Sequence, residues 1–404
     1  MVSDGAAADA SSTRSPLADV AWRAVATAFA FNGLLFGAWA SRVPTFQDRF
    51  ALEEGVLGLL LLALAGGALV AFPLAGALSE RWGPSRLTLV TAWLYGPVLL
   101  LLAIAPSMLA LSAALMLFGA VHGAMDVAMN GWGARVEAKL GRRVMSGFHA
   151  LFSLGAGLGA LSGYVTLALG LGVAGHFVAL VALAAIPALI LVHRAPRIPS
   201  ERSDGPGGAP VFALPSGTLV LVGLLAFGVA MGEGAMADWS AVFLRTALEQ
   251  TTEAQAALGY AAFSAAMVAA RLAGDAVVQR AGSVVVARTS CVVASVGLAV
   301  VIGAPSLPIA LGGFVLIGIG YAVVMPLVFS RAARDRLVRP GPAIASVATL
   351  GYGGMLLGPP LVGFVAELAS LSISFALLGA LALLSASLAG QLGEGRPDDS
   401  RPRG

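Results

Sequence analysis

Gly76-Ala-Leu-Ser-Glu80-Arg81-Trp-Gly83-Pro-Ser-Arg86 is a short charged turn wedged between two long apolar runs. A second version, Gly274-Asp275-Ala-Val-Val-Gln-Arg280-Ala-Gly282, recurs later in the chain with Arg288 beyond it. Their leading glycines lie 198 positions apart, about half of the 404 residues. A turn that recurs at half-length spacing points to a chain built as two similar halves. The basic, glycine-rich stretch at 135–163 aligns loosely with 334–363 at a similar offset.

The runs flanking these turns set the fold class. Apolar residues make up 58% of the chain, charged residues only 11%, and mean hydropathy is +0.89. Soluble domains carry about 25% charged residues, so this chain cannot dress a water-soluble surface. The apolar residues fall at 20–41, 55–78, 86–105, 108–131, 147–171, 174–193, 217–241, 255–279, 284–303, 307–330, 343–366 and 370–391. Each run is long enough, at about 20 residues, to cross a bilayer as a helix. A β-barrel would show ~10-residue alternating segments instead. The expectation is an all-α membrane protein of twelve transmembrane helices in two pseudo-symmetric six-helix bundles. A single cysteine, Cys291, excludes an intrachain disulfide and reads as a small packing residue.

The organisation follows. Residues 1–19 read as a disordered cytoplasmic tail without the features of a signal peptide. An N-terminal bundle spans 20–193, a Pro-, Gly- and charge-rich cytoplasmic linker 194–216, a C-terminal bundle 217–392, and a cytoplasmic tail 393–404. With both termini inside, 21 of the 24 basic residues fall in inner segments. Only Arg42, Arg49 and Arg245 fall outside. This asymmetry follows the positive-inside rule, so the net charge of +3 reports topology and implies no nucleic-acid partner.

Twelve spans, a central linker and the turn after the second span together resemble the major facilitator superfamily over nearly the whole chain. The family's turn reads Gly-x-Leu-Ala-Asp-Arg-x-Gly-Arg-Arg. Gly76, Leu78, Arg81 and Gly83 match it; Glu80 replaces the Asp, Pro84 and Ser85 replace the first basic pair, and Arg86 follows. The resemblance implies a cytoplasmic gate at Gly76, Glu80, Arg81, Gly83 and Arg86, echoed by Gly274, Asp275 and Arg280. This latch would be closed in the outward-open state and broken in the inward-open one. Within the superfamily, His122-Gly-Ala-Met-Asp126-Val-Ala-Met-Asn130 and Gly147-Phe-His149-Ala-Leu-Phe-Ser-Leu-Gly155 are similar to the fucose-permease-like branch. A fourth-span carboxylate four residues before an Asn is shared with it. The first span carries no carboxylate here and offers Asn32 in its place.

His122, Asp126 and Asn130 recur every fourth residue and so share one helical stripe. A carboxylate inside a span costs roughly 2.5–3.5 kcal/mol to insert, so it should face a cavity or a partner. Asp126 is the leading proton-coupling or substrate-contacting candidate, with a structural pairing to His122 or an arginine, or a longer helix that leaves it near the cytoplasmic mouth, as the alternatives. On the seventh span, Glu233 is flanked by Gly232 and Gly234, where a bendable helix can present a binding group, and it is the second proton-coupling candidate. Asp238, five residues on, reads as a cap of the outer end beside Trp239. Asn32, Trp39, His122, Asn130, His149 and Tyr352 complete the candidate substrate contacts, whereas His176 and His193 read as interfacial. The glycines of the fifth span (Gly155, Gly157, Gly159, Gly163) read as close-packing positions.

No Walker sequence, metal-ligand cluster or nucleophile–base pair is present, so no enzyme activity, metal or cofactor is implied. The sequence reads as a monomeric, multi-pass transporter of a bacterial inner (plasma) membrane. Its partners are a small-molecule substrate, protons and the lipid bilayer. Proton-coupled uptake of a small polar, sugar-like solute is the first reading. Proton-driven export of a metabolite or drug, and a non-transporting membrane sensor or assembly partner, are the alternatives.

Overall fold

In lipid every backbone polar group must be satisfied internally, so each apolar run closes its own hydrogen bonds as a helix. The computed structural model describes residues 16–141, 144–194, 213–248 and 250–393. It contains twelve helices long and apolar enough to span a membrane: Asp19–Phe50, Glu54–Trp82, Pro84–Ile104, Met108–Leu140, Met145–Ala168, Val173–His193, Leu219–Ala247, Glu253–Ala281, Ser283–Ile302, Leu307–Ala333, Gly341–Leu368 and Leu371–Leu392. They are numbered here as the first to twelfth spans. No strand occurs among the described residues. The tail, linker and second tail expected at 1–19, 194–216 and 393–404 lie outside the described residues except at their margins, as do Arg14, Arg142, Arg143, Arg197, Arg202, Arg396, Arg401 and Arg403.

Twelve crossings leave residues 16 and 393 on one end of the bundle, called here the terminal face. Two of the turns on that face are single glycines. Gly83 (φ 85°) joins the second and third spans and Gly282 (φ 81°) joins the eighth and ninth. An L side chain is strained at such angles, so glycine is the residue that lets the chain reverse in one step. These two turns set the repeat at 199 positions. The offset of 198 taken from Gly76 and Gly274 is therefore one short; Gly76 corresponds to Asp275, and Arg81 to Arg280.

Several helix ends lie beyond the apolar runs. The seventh span continues to Ala247 and the fourth to Leu140. The first span breaks at Arg42 and resumes at Val43–Phe50, ending on Ala51 with φ 48°. Pro73, Pro97, Pro359 and Pro360 sit inside helices, where each removes a backbone donor and favours a bend.

Lipid tails are as apolar as leucine, so the spans associate by close packing. Gly33 and Gly37 of the first span lie against the backbone of Phe152 and Ala156 on the fifth, and Gly155 and Gly159 lie against the first span in return. A Cβ at any of the four would collide with a carbonyl oxygen or amide. The fifth-span glycines are therefore packing positions, except Gly157, which faces Ser264 of the eighth span. Gly58 of the second span meets the Pro359-Pro360 step of the eleventh.

The two halves meet unevenly along the bundle. At the far face, Asp48 pairs with Arg245 and Thr45 donates to Glu253, each contact joining the first six spans to the last six. Nearer the terminal face the described hydrogen bonds between halves are those of Arg271 with His149 and Ser153. Below that layer Leu74, Trp82, Leu272 and Val277 are exposed. Among the described residues the polar contacts that fasten the halves thus lie at the far face and in the layer of Arg271.

Candidate functional site

The fourth span carries its polar stripe into the middle of the bundle. His122, Asp126 and Asn130 are all half-buried while their neighbours Met125 and Met129 are fully enclosed. Asn130 Nδ2 donates to Asp126 Oδ1 at 3.1 Å and to the Asp126 carbonyl at 2.9 Å. Among the described residues Asn130 is the only hydrogen-bond partner of Asp126, and it is neutral. His122 Nδ1 lies 2.7 Å from the Tyr95 hydroxyl, and its ring stacks on Phe36. The alternative pairing of Asp126 with His122 or an arginine does not occur here. Tyr352, half-buried on the eleventh span, packs its ring on Phe72 of the second span across the gap between halves.

The seventh span contributes a second carboxylate in a different setting. Glu233 accepts from Arg271 of the eighth span at 3.2 Å, and their side chains are 29% and 12% exposed. Arg271 also donates from Nε to the Ala322 carbonyl at 3.2 Å and from Nη1 to Ser153 Oγ at 2.6 Å. Its guanidinium thus ties the seventh, eighth and tenth spans to the fifth. The basic-residue count placed Arg271 in an inner loop. It actually lies ten residues inside the helix, ~15 Å from its end, at the centre of the polar layer. Its only signal was an arginine on the same side of the helix as the following Asp275 turn, which a loop count cannot separate from a loop residue.

Two other assignments change. Asp238 does not cap the outer end, because the helix continues nine residues beyond it; its side chain is buried, with 8% exposure. Arg42 is no outer-loop residue but fully buried. It donates to His176 Nδ1 at 3.0 Å, to Thr166 Oγ1 at 2.9 Å and to the Leu171 carbonyl at 3.0 Å. Accepting at Nδ1 leaves the His176 proton on Nε2, which faces Ser162 Oγ at 2.8 Å. His176 is thus an interior residue and not an interfacial one.

The remaining candidates divide. Asn32 is fully buried, with Nδ2 3.5 Å from Met129 Sδ and Oδ1 without a partner. Trp39 is enclosed between Phe46 and Phe118, so it fills the first half's core and presents no face for stacking on a ligand. His149 is exposed near the start of the fifth span, edge-on to Phe29, and reaches Arg271 through its carbonyl at 3.4 Å. At the terminal face Glu80, Arg81, Arg86, Asp275 and Arg280 are exposed, while Gly83 and Gly274 are buried. No group of three or more His, Cys, Asp or Glu side chains able to hold a metal occurs among the described residues.

A two-part helical bundle with charges buried at mid-span is an arrangement that multi-pass membrane transporters use. Residues 19–335 match the family described as the Major Facilitator Superfamily, and the chain belongs to it. It is 45% identical over 368 residues to an uncharacterized transporter, y4wD, of Sinorhizobium fredii (strain NBRC 101917 / NGR234), covering 91% of this chain and 97% of that protein. It is 38% identical to an MFS-type transporter of Yersinia pestis, covering 90% and 92%. Membrane protein MosC of Rhizobium meliloti is 34% identical, covering 85% and 83%. Among solved structures, the nucleoside transporter NupG superposes with a TM-score of 0.72 over 93% of this chain and 99% of its own, at 13% identity. That likeness concerns the fold.

Proposed function

We propose that this protein is a proton-coupled, alternating-access transporter that takes up a small polar, sugar-like solute across a bacterial inner membrane as a monomer. One observation carries the reading: Asp126 stands half-buried at mid-span with a neutral amide as its partner. Such a carboxylate can gain or lose a proton without abandoning an ion pair, which a coupling group requires. Glu233, bonded to Arg271, instead serves to hold the halves and orient the solute. The Asp126–Asn130 spacing is that of the fucose-permease-like branch, to which we assign the chain. Asn130, His122, His149 and Tyr352 are assigned to the substrate path, where they would supply hydrogen bonds and a ring face for a hydroxylated solute. The far face is assigned to the outside and both termini to the cytoplasm. The turn at Gly76, Glu80, Arg81, Gly83 and Arg86, with Gly274, Asp275 and Arg280, forms the gate that closes the terminal face in the outward-open state.

The test is transport by the purified chain in proteoliposomes under an imposed pH gradient, with radiolabelled sugars, polyols and nucleosides. Accumulation of one solute on the alkaline side supports symport. Accumulation on the acidic side would make the protein an exporter, and no flux of any solute would leave the sensor reading. Asp126→Asn should lose gradient-driven accumulation yet retain solute exchange at equal pH; unchanged accumulation would sink the assignment.

A further inference from the structure

Asp238 is a buried carboxylate that the proposed cycle does not use. It lies five residues beyond Glu233 on the seventh span and nine residues, ~13 Å, from that helix's far end. Its level is therefore between the central layer and the seal formed by Asp48 with Arg245 and Thr45 with Glu253. Trp239 beside it is fully buried and reaches Gly363 of the eleventh span, at a level where Gly363 also touches Glu54 of the other half. Among the described residues Asp238 makes no hydrogen bond and no ion pair, and it is buried, with 8% exposure.

The groups on the elements packed around Asp238 offer no compensating cation. Tyr260, on the eighth span, is a titratable side chain within electrostatic range of Asp238, and it is not cationic. Arg271 on the same span is engaged by Glu233, and Arg245 by Asp48. Arg42 and Arg49 on the first span are held by His176 and by the carbonyls of Ala103 and Ala105. The others are Glu253 at the start of the eighth span, Tyr321 on the tenth, and Tyr352 and Glu367 on the eleventh, none of them cationic. The twelfth span carries no titratable side chain.

We propose that Asp238 is a proton-binding site separate from Asp126, and that the far face seals only when Asp238 is neutral. Enclosing an unpartnered carboxylate is strongly unfavourable, whereas enclosing the protonated acid is tolerable. When the halves part at the far face, Asp238 meets water and exchanges its proton with that compartment. Closure then commits the proton to the transporter. The proposal rests on the alternating-access reading and not on the role of Asp126.

Spin labels at Glu53→Cys and Thr251→Cys, which flank the far-face seal from opposite halves, in a Cys291→Ala background report the opening directly. In the full chain reconstituted in nanodiscs, raising the pH from about 5 to about 9 should increase the population of the longer distance at least roughly tenfold. Asp238→Asn should hold the short distance at every pH, and Asp238→Glu should restore the response. Asp126→Asn should keep it. A pH response unchanged in Asp238→Asn, or its absence from the labelled parent, overturns the proposal. A response lost in Asp126→Asn and kept in Asp238→Asn overturns it too, while leaving the proposed function standing.

Discussion

Asp126 and Glu233 are both carboxylates at mid-span, one in each half, and they differ in what faces them. Asp126 has a neutral amide one turn away on its own helix. Glu233 has a guanidinium from the neighbouring helix, itself anchored to a carbonyl of the tenth span and a hydroxyl of the fifth. A charge with a local neutral partner is free to change its state, while a charge inside a network between helices holds that network together. The first half thus carries the variable element, and the second carries the fastening.

The substitutions that would break this contrast can be ranked. Asp126→Asn has the largest expected effect on function: gradient-driven accumulation falls to the background of empty liposomes, with thermal stability close to the parent. Arg271→Ala has the largest expected effect on stability. Removing one partner of a buried pair costs about 3–5 kcal/mol and strands Glu233. Nanodisc thermal unfolding should show a clear drop, and Arg271→Ala combined with Glu233→Gln should recover part of it. If the single and double variants are equally unstable, the pair is not the fastening.

The repeated turn allows a comparison within one molecule. Gly83→Ala and Gly282→Ala each force a side chain into an extended positive-φ conformation that is essentially glycine-only, at about 1–3 kcal/mol. The two should therefore lower unfolding temperature alike; a large difference between them would mean that the turns are not structural equivalents. The smallest expected effect belongs to Asp48→Asn. Its pair with Arg245 is partly exposed, at 58% and 33%, and such pairs contribute about 0–1 kcal/mol. The far-face spin-label distances should then shift toward the open population by no more than roughly fivefold.

Much of the site was legible before any coordinates. The fourth-span stripe follows from residues spaced four apart on one helix, and the Asp126–Asn130 bond lies within that spacing. The cap reading of Asp238 fails because the apolar run ends near it while the helix does not: Phe243 and Leu244 continue the buried face, and the helix runs on to Ala247. Trp39 was misread because an aromatic near the middle of a span has the same pattern whether it faces a gap or fills a core. Here Phe46 folds back over it after the break at Arg42.

By itself, the sequence determined the twelve crossings, the duplication and the presence of a charged residue where lipid should forbid one. These depend on helix length and on backbone hydrogen bonds closed within each segment, which are local properties. Which charges are paired was decided only by the tertiary structure. Arg271 joins Glu233, Arg42 joins His176, and Asp238 joins nothing described. Pairing is a relation between helices that lie tens of residues apart in the chain. It is set by how their glycine faces let them approach, and no single helix's pattern encodes it.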